Sequence, residues 1–125
     1  MILGIGIDII EIERIKQSID NYGDQFLKKI YTKTELDYSL NKKNRYQHLA
    51  ARFAAKEAII KSLAGVGDKG FSYQDIEIYN EVNGLPRVNL YNSLKKYLGE
   101  KKEILISMSH SDNYVTCVAI LSQKS

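Results

Sequence analysis

Ile5, Ile7 and Ile9 alternate with Gly4, Gly6 and Asp8 at the start of the chain. A period of two is a strand signal, so residues 1–10 read as a strand. One of its faces is greasy and the other is bare apart from one carboxylate. The period then lengthens. Ile12, Ile15, Ile19 and Tyr22 recur at helical spacing and predict an amphipathic helix with these four on one side. Thr32, followed three residues later by Glu35, has the form of a capping box and opens a short helix through Leu36 and Leu40. Residues 41–44 are a polar break. A long, alanine-rich helix is predicted from about Tyr46 to Ala64. Its buried stripe holds Leu49, Phe53, Ile60 and Leu63, and Gly65-Val-Gly67 ends it. Residues 76–81 and 87–90 read as strands around the turn Asn83-Gly84-Leu85-Pro86, which puts Pro86 at a strand start or edge. Tyr91, Leu94 and Leu98 mark a short helix. Residues 103–109 and 114–121 form a last strand pair around His110-Ser-Asp-Asn113. This order predicts an α+β fold, a largely antiparallel sheet with one long helix.

The chain has 125 residues and shows no repeat, low-complexity tract or linker, so residues 1–125 read as a single domain. Hydrophobic residues make up 44% and charged residues 26%, which excludes a disordered chain. The net charge of +3 is too small to imply nucleic acid by itself, but would suit an anionic ligand if clustered. The one cysteine, Cys117, lies in an apolar run and reads as a buried structural thiol. No Cys/His zinc pattern exists. The apolar first ten residues lack a basic leader and carry Asp8, so they do not read as a signal peptide. No apolar stretch reaches bilayer length. A soluble cytoplasmic protein, with no membrane partner, is the expectation.

Three places could carry chemistry. The glycines sharing the face of Asp8 leave room for a ligand beside the backbone; an edge-strand carboxylate facing water is the alternative. The run Arg52-Phe-Ala-Ala-Lys56-Glu57-Ala-Ile-Ile-Lys61 puts Glu57 and Lys61 four apart on one helix face. That spacing fits a surface ion pair worth about 0.3–0.5 kcal/mol. Yet between Leu40 and Ser62 the charges are Lys42, Lys43, Arg45, Arg52, Lys56 and Lys61 against Glu57 alone. A lone glutamate among cations can hold a divalent metal while its neighbours hold phosphate, and Mg²⁺ typically takes one or two carboxylates plus substrate phosphates. In Ser107-Met-Ser109-His110-Ser111, the histidine stands where a strand enters a turn. It suits either local hydrogen bonds or a phosphate or base contact. Gly65-Val-Gly67 lacks the Lys-Ser/Thr of a P-loop and, as a helix end, presents carbonyls rather than amides.

Taken together and in order, Gly4-Ile-Gly-Ile-Asp8-Ile-Ile-Glu11, Arg52-Phe-Ala-Ala-Lys-Glu57-Ala-Ile-Ile-Lys61 and Ser107-Met-Ser-His110 resemble the bacterial holo-acyl carrier protein synthase family, the short phosphopantetheinyl transferases. The spacing between blocks matches too, and the likeness runs over essentially the whole chain. Phe71-Ser-Tyr-Gln-Asp-Ile76 and Asn83-Gly-Leu-Pro86 are similar to further family segments. The resemblance implies the phosphopantetheinyl transferase fold and a homotrimer with active sites at subunit interfaces. It implies Asp8 and Glu57 as Mg²⁺ ligands and Lys61 on the coenzyme A diphosphate. Ser109, His110, Asn83, Gly84, Pro86 and Arg52 fall on the coenzyme A side. Arg14, with Lys28, would meet the acidic carrier protein. The helix after the first strand departs from the family's more basic pattern: Asn21, Tyr22 and Asp24 dilute it, leaving Arg14, Lys16, Lys28 and Lys29. Ser109 stands where threonine is frequent.

The implied reaction moves 4'-phosphopantetheine from coenzyme A to a serine of apo-acyl carrier protein and releases adenosine 3',5'-bisphosphate, in support of fatty acid biosynthesis. Such chemistry needs charge neutralisation and alignment rather than a covalent intermediate. Two other classes compete. A nucleic-acid module would interleave aromatics with the cations, but of nine tyrosines only Tyr46 falls among them. A structural trimer without activity sits poorly with intact Asp8, Glu57 and Lys61.

Overall fold

The computed structural model describes residues 1–63 and 70–125. Gly65-Val-Gly67 and Ala64, read above as the close of the long helix, lie outside these. In chain order the elements are β1 (Ile2–Glu11), α1 (Ile12–Tyr22), α2 (Asp24–Ile30), α3 (Lys33–Ser39), α4 (Arg45–Ser62), a 3-10 turn (Tyr73–Asp75), β2 (Ile76–Asn80), β3 (Pro86–Leu90), α5 (Asn92–Leu98), β4 (Lys102–His110) and β5 (Tyr114–Gln123). The strands form a three-stranded sheet in the order β1-β5-β4 and a two-stranded sheet β2-β3, every pairing antiparallel. The fold is therefore the α+β arrangement the pattern predicts, and Pro86 opens its strand as expected. Among the described residues, no helix is long and apolar enough to cross a membrane.

Helix α4 lies across β1 and β5, and its small residues allow the close approach. Ala50, Ala54, Ala55 and Ala58 are fully buried, with Leu49 and Ile59. The matching surface on β1 is the glycine face. A Cβ built on Gly4 would stand 2.1 Å from the Ser62 carbonyl oxygen, and one on Gly6 would stand 2.0 Å from that of Ala58. The room at Gly4 and Gly6 is thus filled by helix backbone, and the open space lies further along the strand, at Asp8. The isoleucine face points the other way: Ile5, Ile7 and Ile9 are each 65% exposed. Register extends that face across the sheet through Ile120, Val118 and Thr116 to Leu105, Ser107 and Ser109.

Ile15 is the buried anchor of α1, while Ile12 and Ile19 are half-buried. Tyr22 is 64% exposed and does not join them, because Gly23, at φ +55°, turns the chain immediately after it. The amide of Ile12 donates to the Asn113 carbonyl at 2.9 Å and ties the start of α1 to the β4–β5 turn.

The capping box is present: Thr32 accepts from the Glu35 amide, and Glu35 accepts from the Thr32 amide. Glu35 also serves a second purpose. It is fully buried, and its Oε1 accepts from Lys56 Nζ at 2.7 Å while its Oε2 accepts from the Ile78 amide at 2.8 Å. Lys56 donates further to the carbonyls of Ile30 at 2.6 Å and Tyr73 at 3.0 Å. Burial pulls its pKa below the ordinary lysine value, opposed by the Glu35 charge. Buried charges persist where they are paired and hydrogen-bonded, and all three Lys56 donors are occupied.

Candidate active site

β1 presents Asp8, and α4 presents Glu57 and Lys61. Asp8 and Glu57 line one cavity of about 290 Å³ together with Arg14, Ile15, Phe26 and Phe53. Lys61 Nζ stands 3.2 Å from Asp8 Oδ1 and donates to the Ile7 carbonyl at 3.0 Å. The helical Glu57–Lys61 ion pair weighed from spacing is therefore not the pairing formed; the lysine crosses to the strand. Glu57 Oε1 instead accepts from the Tyr73 hydroxyl at 2.6 Å. Thr116 Oγ1 donates to the Asp8 carbonyl at 2.8 Å and holds that strand position from the β5 side.

A second, larger cavity of about 460 Å³ gathers Arg52, Gly84, Pro86, Ser109 and His110 from four separate elements and turns. Tyr38, Gln47, His48, Asn80 and Ser107 add to its polar lining. Arg52 is 2% exposed; its Nη2 donates to Asn80 Oδ1 at 2.8 Å and its Nη1 to the His48 carbonyl at 3.4 Å. Its Nε is buried with no acceptor among the described residues. The guanidinium also lies over the Tyr38 ring, 4.4 Å from its centroid. Burial, then the charges of Arg52, Lys42 and His110, hold the His48 pKa below the ordinary imidazole value. That ring is neutral near pH 7 and presents one donor and one acceptor. Gly84, at φ +90°, makes the turn that brings Leu85 and Pro86 to this wall.

Several expected residues fall elsewhere. Asn83 faces its own turn, where Oδ1 accepts from the Leu85 amide at 3.0 Å, and it does not line the cavity. Lys28 is exposed on α2 and does not line the Asp8 cavity. The cation run splits: Lys56 is sealed in the core, Arg52 is buried beside the larger cavity, and Lys42 and Arg45 lie over Tyr38 and Tyr46. The sign of these charges does not foretell which of them the fold buries. Cys117 is a buried thiol whose pKa is pushed up to about 12, by burial first and then by the Asp8 charge, so it is unreactive.

Tyr73 and His48 were not singled out from sequence. Tyr73 lies within the Phe71–Ile76 segment, but nothing in that segment pairs it with a residue on α4. Burial, then the Glu57 hydrogen bond and the charges of Glu57 and Asp8, push its pKa up to about 12 and keep the hydroxyl a donor.

Mg²⁺ is a hard cation that takes oxygen ligands and keeps several waters. The residues fit it. Two carboxylates share one cavity, each with one oxygen engaged by a neighbour. Among the described residues, no group of three or more His, Cys, Asp or Glu forms an all-protein metal cage. A two-carboxylate site would be completed by water and substrate oxygens.

A family model described as the 4'-phosphopantetheinyl transferase superfamily matches residues 4–119. The chain is 48% identical over 122 residues to the holo-[acyl-carrier-protein] synthase of Protochlamydia amoebophila, covering 98% of this chain and 99% of that protein. Among solved structures, the holo-[acyl-carrier-protein] synthase of Neisseria meningitidis superposes with a TM-score of 0.87 at 30% identity, covering 98% of this chain and 100% of that one. The holo-(acyl-carrier-protein) synthase of Bacillus anthracis, solved in complex with CoA (3',5'-ADP), gives 0.81 at 32% identity, with 99% of each chain covered.

Proposed function

The chain belongs to the 4'-phosphopantetheinyl transferase superfamily, among the holo-[acyl-carrier-protein] synthases, and on that footing we propose how its own residues perform the transfer. The enzyme moves 4'-phosphopantetheine from coenzyme A to a serine of apo-acyl carrier protein. The serine hydroxyl attacks the phosphorus bonded to pantetheine, and adenosine 3',5'-bisphosphate leaves. The observation that carries the reading is the meeting of Asp8 and Glu57 in one cavity, with Lys61 reaching to the same carboxylate.

Asp8 and Glu57 would hold Mg²⁺. A Mg²⁺ bound there would supply charge neutralisation for the diphosphate and the departing oxygen. Lys61 brings a compact positive charge to the same place. Arg52, Ser109, His110, Gly84 and Pro86 would hold the nucleotide end, where the acceptor-free Nε of Arg52 suits a phosphate oxygen. Arg14, exposed on the rim of the Asp8 cavity, suits an acidic carrier protein, with Lys28 further out on α2. The expected setting is the cytoplasm and fatty acid biosynthesis.

The test is direct. The protein is incubated with coenzyme A, Mg²⁺ and an apo carrier protein, and the carrier is weighed by mass spectrometry. A gain of one phosphopantetheine is the expected result; an unchanged carrier mass overturns the reading. Lys61→Met keeps the stem and removes the charge. We expect a large fall in kcat, a smaller rise in the KM for coenzyme A and an unchanged melting temperature, because charge on the diphosphate oxygens changes as the leaving group departs. Lys61→Arg should recover only part of the rate, since a planar fork does not reproduce a point charge. Full activity in the methionine variant would return Lys61 to a surface ion pair.

A homotrimer fits the same reading. The carboxylate cavity and the nucleotide cavity share no lining residue within one chain. The open face bearing Ile5, Ile7 and Ile9 runs to Ser109 at the nucleotide side. An apolar face of this kind is rarely left in water. Further copies packed on it would bury Ile5, Ile7 and Ile9 between protomers. Ile7→Glu is expected to drop the solution mass from trimer to monomer, read by sedimentation, and to cut transfer with it. An unchanged mass would refute that packing.

A further inference from the structure

We propose that Tyr73 is a positioning residue for Glu57, its hydroxyl fixing one carboxylate oxygen so that the other is presented to the divalent cation. The proposal rests on the reading above, in which Glu57 faces Mg²⁺. A phenylalanine would satisfy the packing at position 73. The ring stacks on Phe53 at 6.0 Å between centroids, with an interplanar angle of 22°, and meets Phe71 edge-on at 5.9 Å. The hydroxyl adds one thing, the 2.6 Å hydrogen bond to Glu57 Oε1.

The donor is itself held. Lys56 Nζ donates to the Tyr73 carbonyl at 3.0 Å, so consecutive residues of α4, Lys56 and Glu57, grip the two ends of the tyrosine. Its turn is closed by a reciprocal pair, in which Ser72 accepts from the Gln74 amide and Asp75 accepts from the Ser72 amide. The ammonium of Lys56 is in turn fixed by Glu35 and the Ile30 carbonyl. Lys61, the other group within reach of Glu57 by helical spacing, is engaged with Asp8 and the Ile7 carbonyl. Glu57 therefore takes its orientation from Tyr73. A carboxylate on a flexible stem loses rotamer freedom when it binds a metal. One already held by a second group loses less, and such outer partners are typically worth roughly ten- to a hundredfold in metal affinity.

The test compares Tyr73→Phe with the parent and with Glu57→Gln. Mn²⁺ binding in the presence of coenzyme A is read by electron paramagnetic resonance, and transfer is titrated with Mg²⁺. The phenylalanine variant is expected to melt near the parent temperature. It should need roughly tenfold more of either metal for half-saturation, and saturating Mg²⁺ should restore most of its transfer rate. A Tyr73→Phe enzyme with the parent's metal half-saturation overturns the proposal and leaves the transferase reading intact. So does a rate loss that Mg²⁺ does not restore while Mn²⁺ binding is unchanged. Parent-like Mn²⁺ binding in Glu57→Gln removes the metal assignment, and this proposal falls with it.

Discussion

Asp8→Ala and Glu57→Ala are each expected to reduce transfer by on the order of a thousandfold or more, with the far-ultraviolet circular dichroism unchanged. The two carboxylates come from different elements, a strand and the helix crossing it, and meet in one cavity. Neither holds the core together. Asp8 pairs with Lys61, whose end of the ion pair is exposed, and Glu57 accepts from one hydroxyl. The chemistry, by contrast, depends on compensating charge as a diphosphate ester is cleaved, and no neighbouring acid can substitute among the residues lining that cavity. Steady-state rates across a Mg²⁺ titration are the measurement. Near-normal turnover at low Mg²⁺ in either alanine variant would separate the two carboxylates and end the shared-site assignment.

The largest effect on stability is expected at Lys56. Lys56→Met leaves Glu35 fully buried and without its cation, which typically costs about 3–5 kcal/mol. That is a large share of the roughly 5–15 kcal/mol that holds a domain together. The carbonyls of Ile30 and Tyr73 lose a donor as well. Urea denaturation should show the loss. The double variant Glu35→Gln with Lys56→Met should regain part of it, because the stranded charge is gone. A methionine variant as stable as the parent would overturn the stranded-charge argument.

Local pattern made most of the fold legible. Strands announced themselves by alternation, the 83–86 turn by its Asn-Gly and proline, and α3 by its capping residues. Helix α2 went unread: it begins straight after Gly23, with no capping side chain to separate it from α1. Alternation in β1 separated two faces without saying which one the helix covers, because glycine opposite alanine can bury as well as isoleucine can. The site was legible in its charged residues and not in their partners. Asp8, Glu57 and Lys61 stood out by motif, yet the pairing of Lys61 with Asp8 joins positions 53 apart in sequence, and that of Tyr73 with Glu57 joins positions 16 apart. The same holds for Lys56 and Glu35: one read as part of a cation run and the other as a helix cap, and the fold pairs them in the core. The larger cavity is lined by Arg52, Gly84, Pro86, Ser109 and His110 and not by Asn83, whose side chain closes its own turn.

The bare face of β1 also sets a tolerance. Gly4 and Gly6 let strand and helix rest backbone against backbone, so the gap between the elements bearing Asp8 and Glu57 has no side chain for a spacer. A single methyl group at Gly6 would act as a shim ~1.5 Å thick, the length of one carbon–carbon bond. Constellations of this kind work within about 0.5 Å of their productive geometry. The width of the proposed site is therefore gauged two residues away from the aspartate, by a hydrogen atom where every other amino acid carries a carbon.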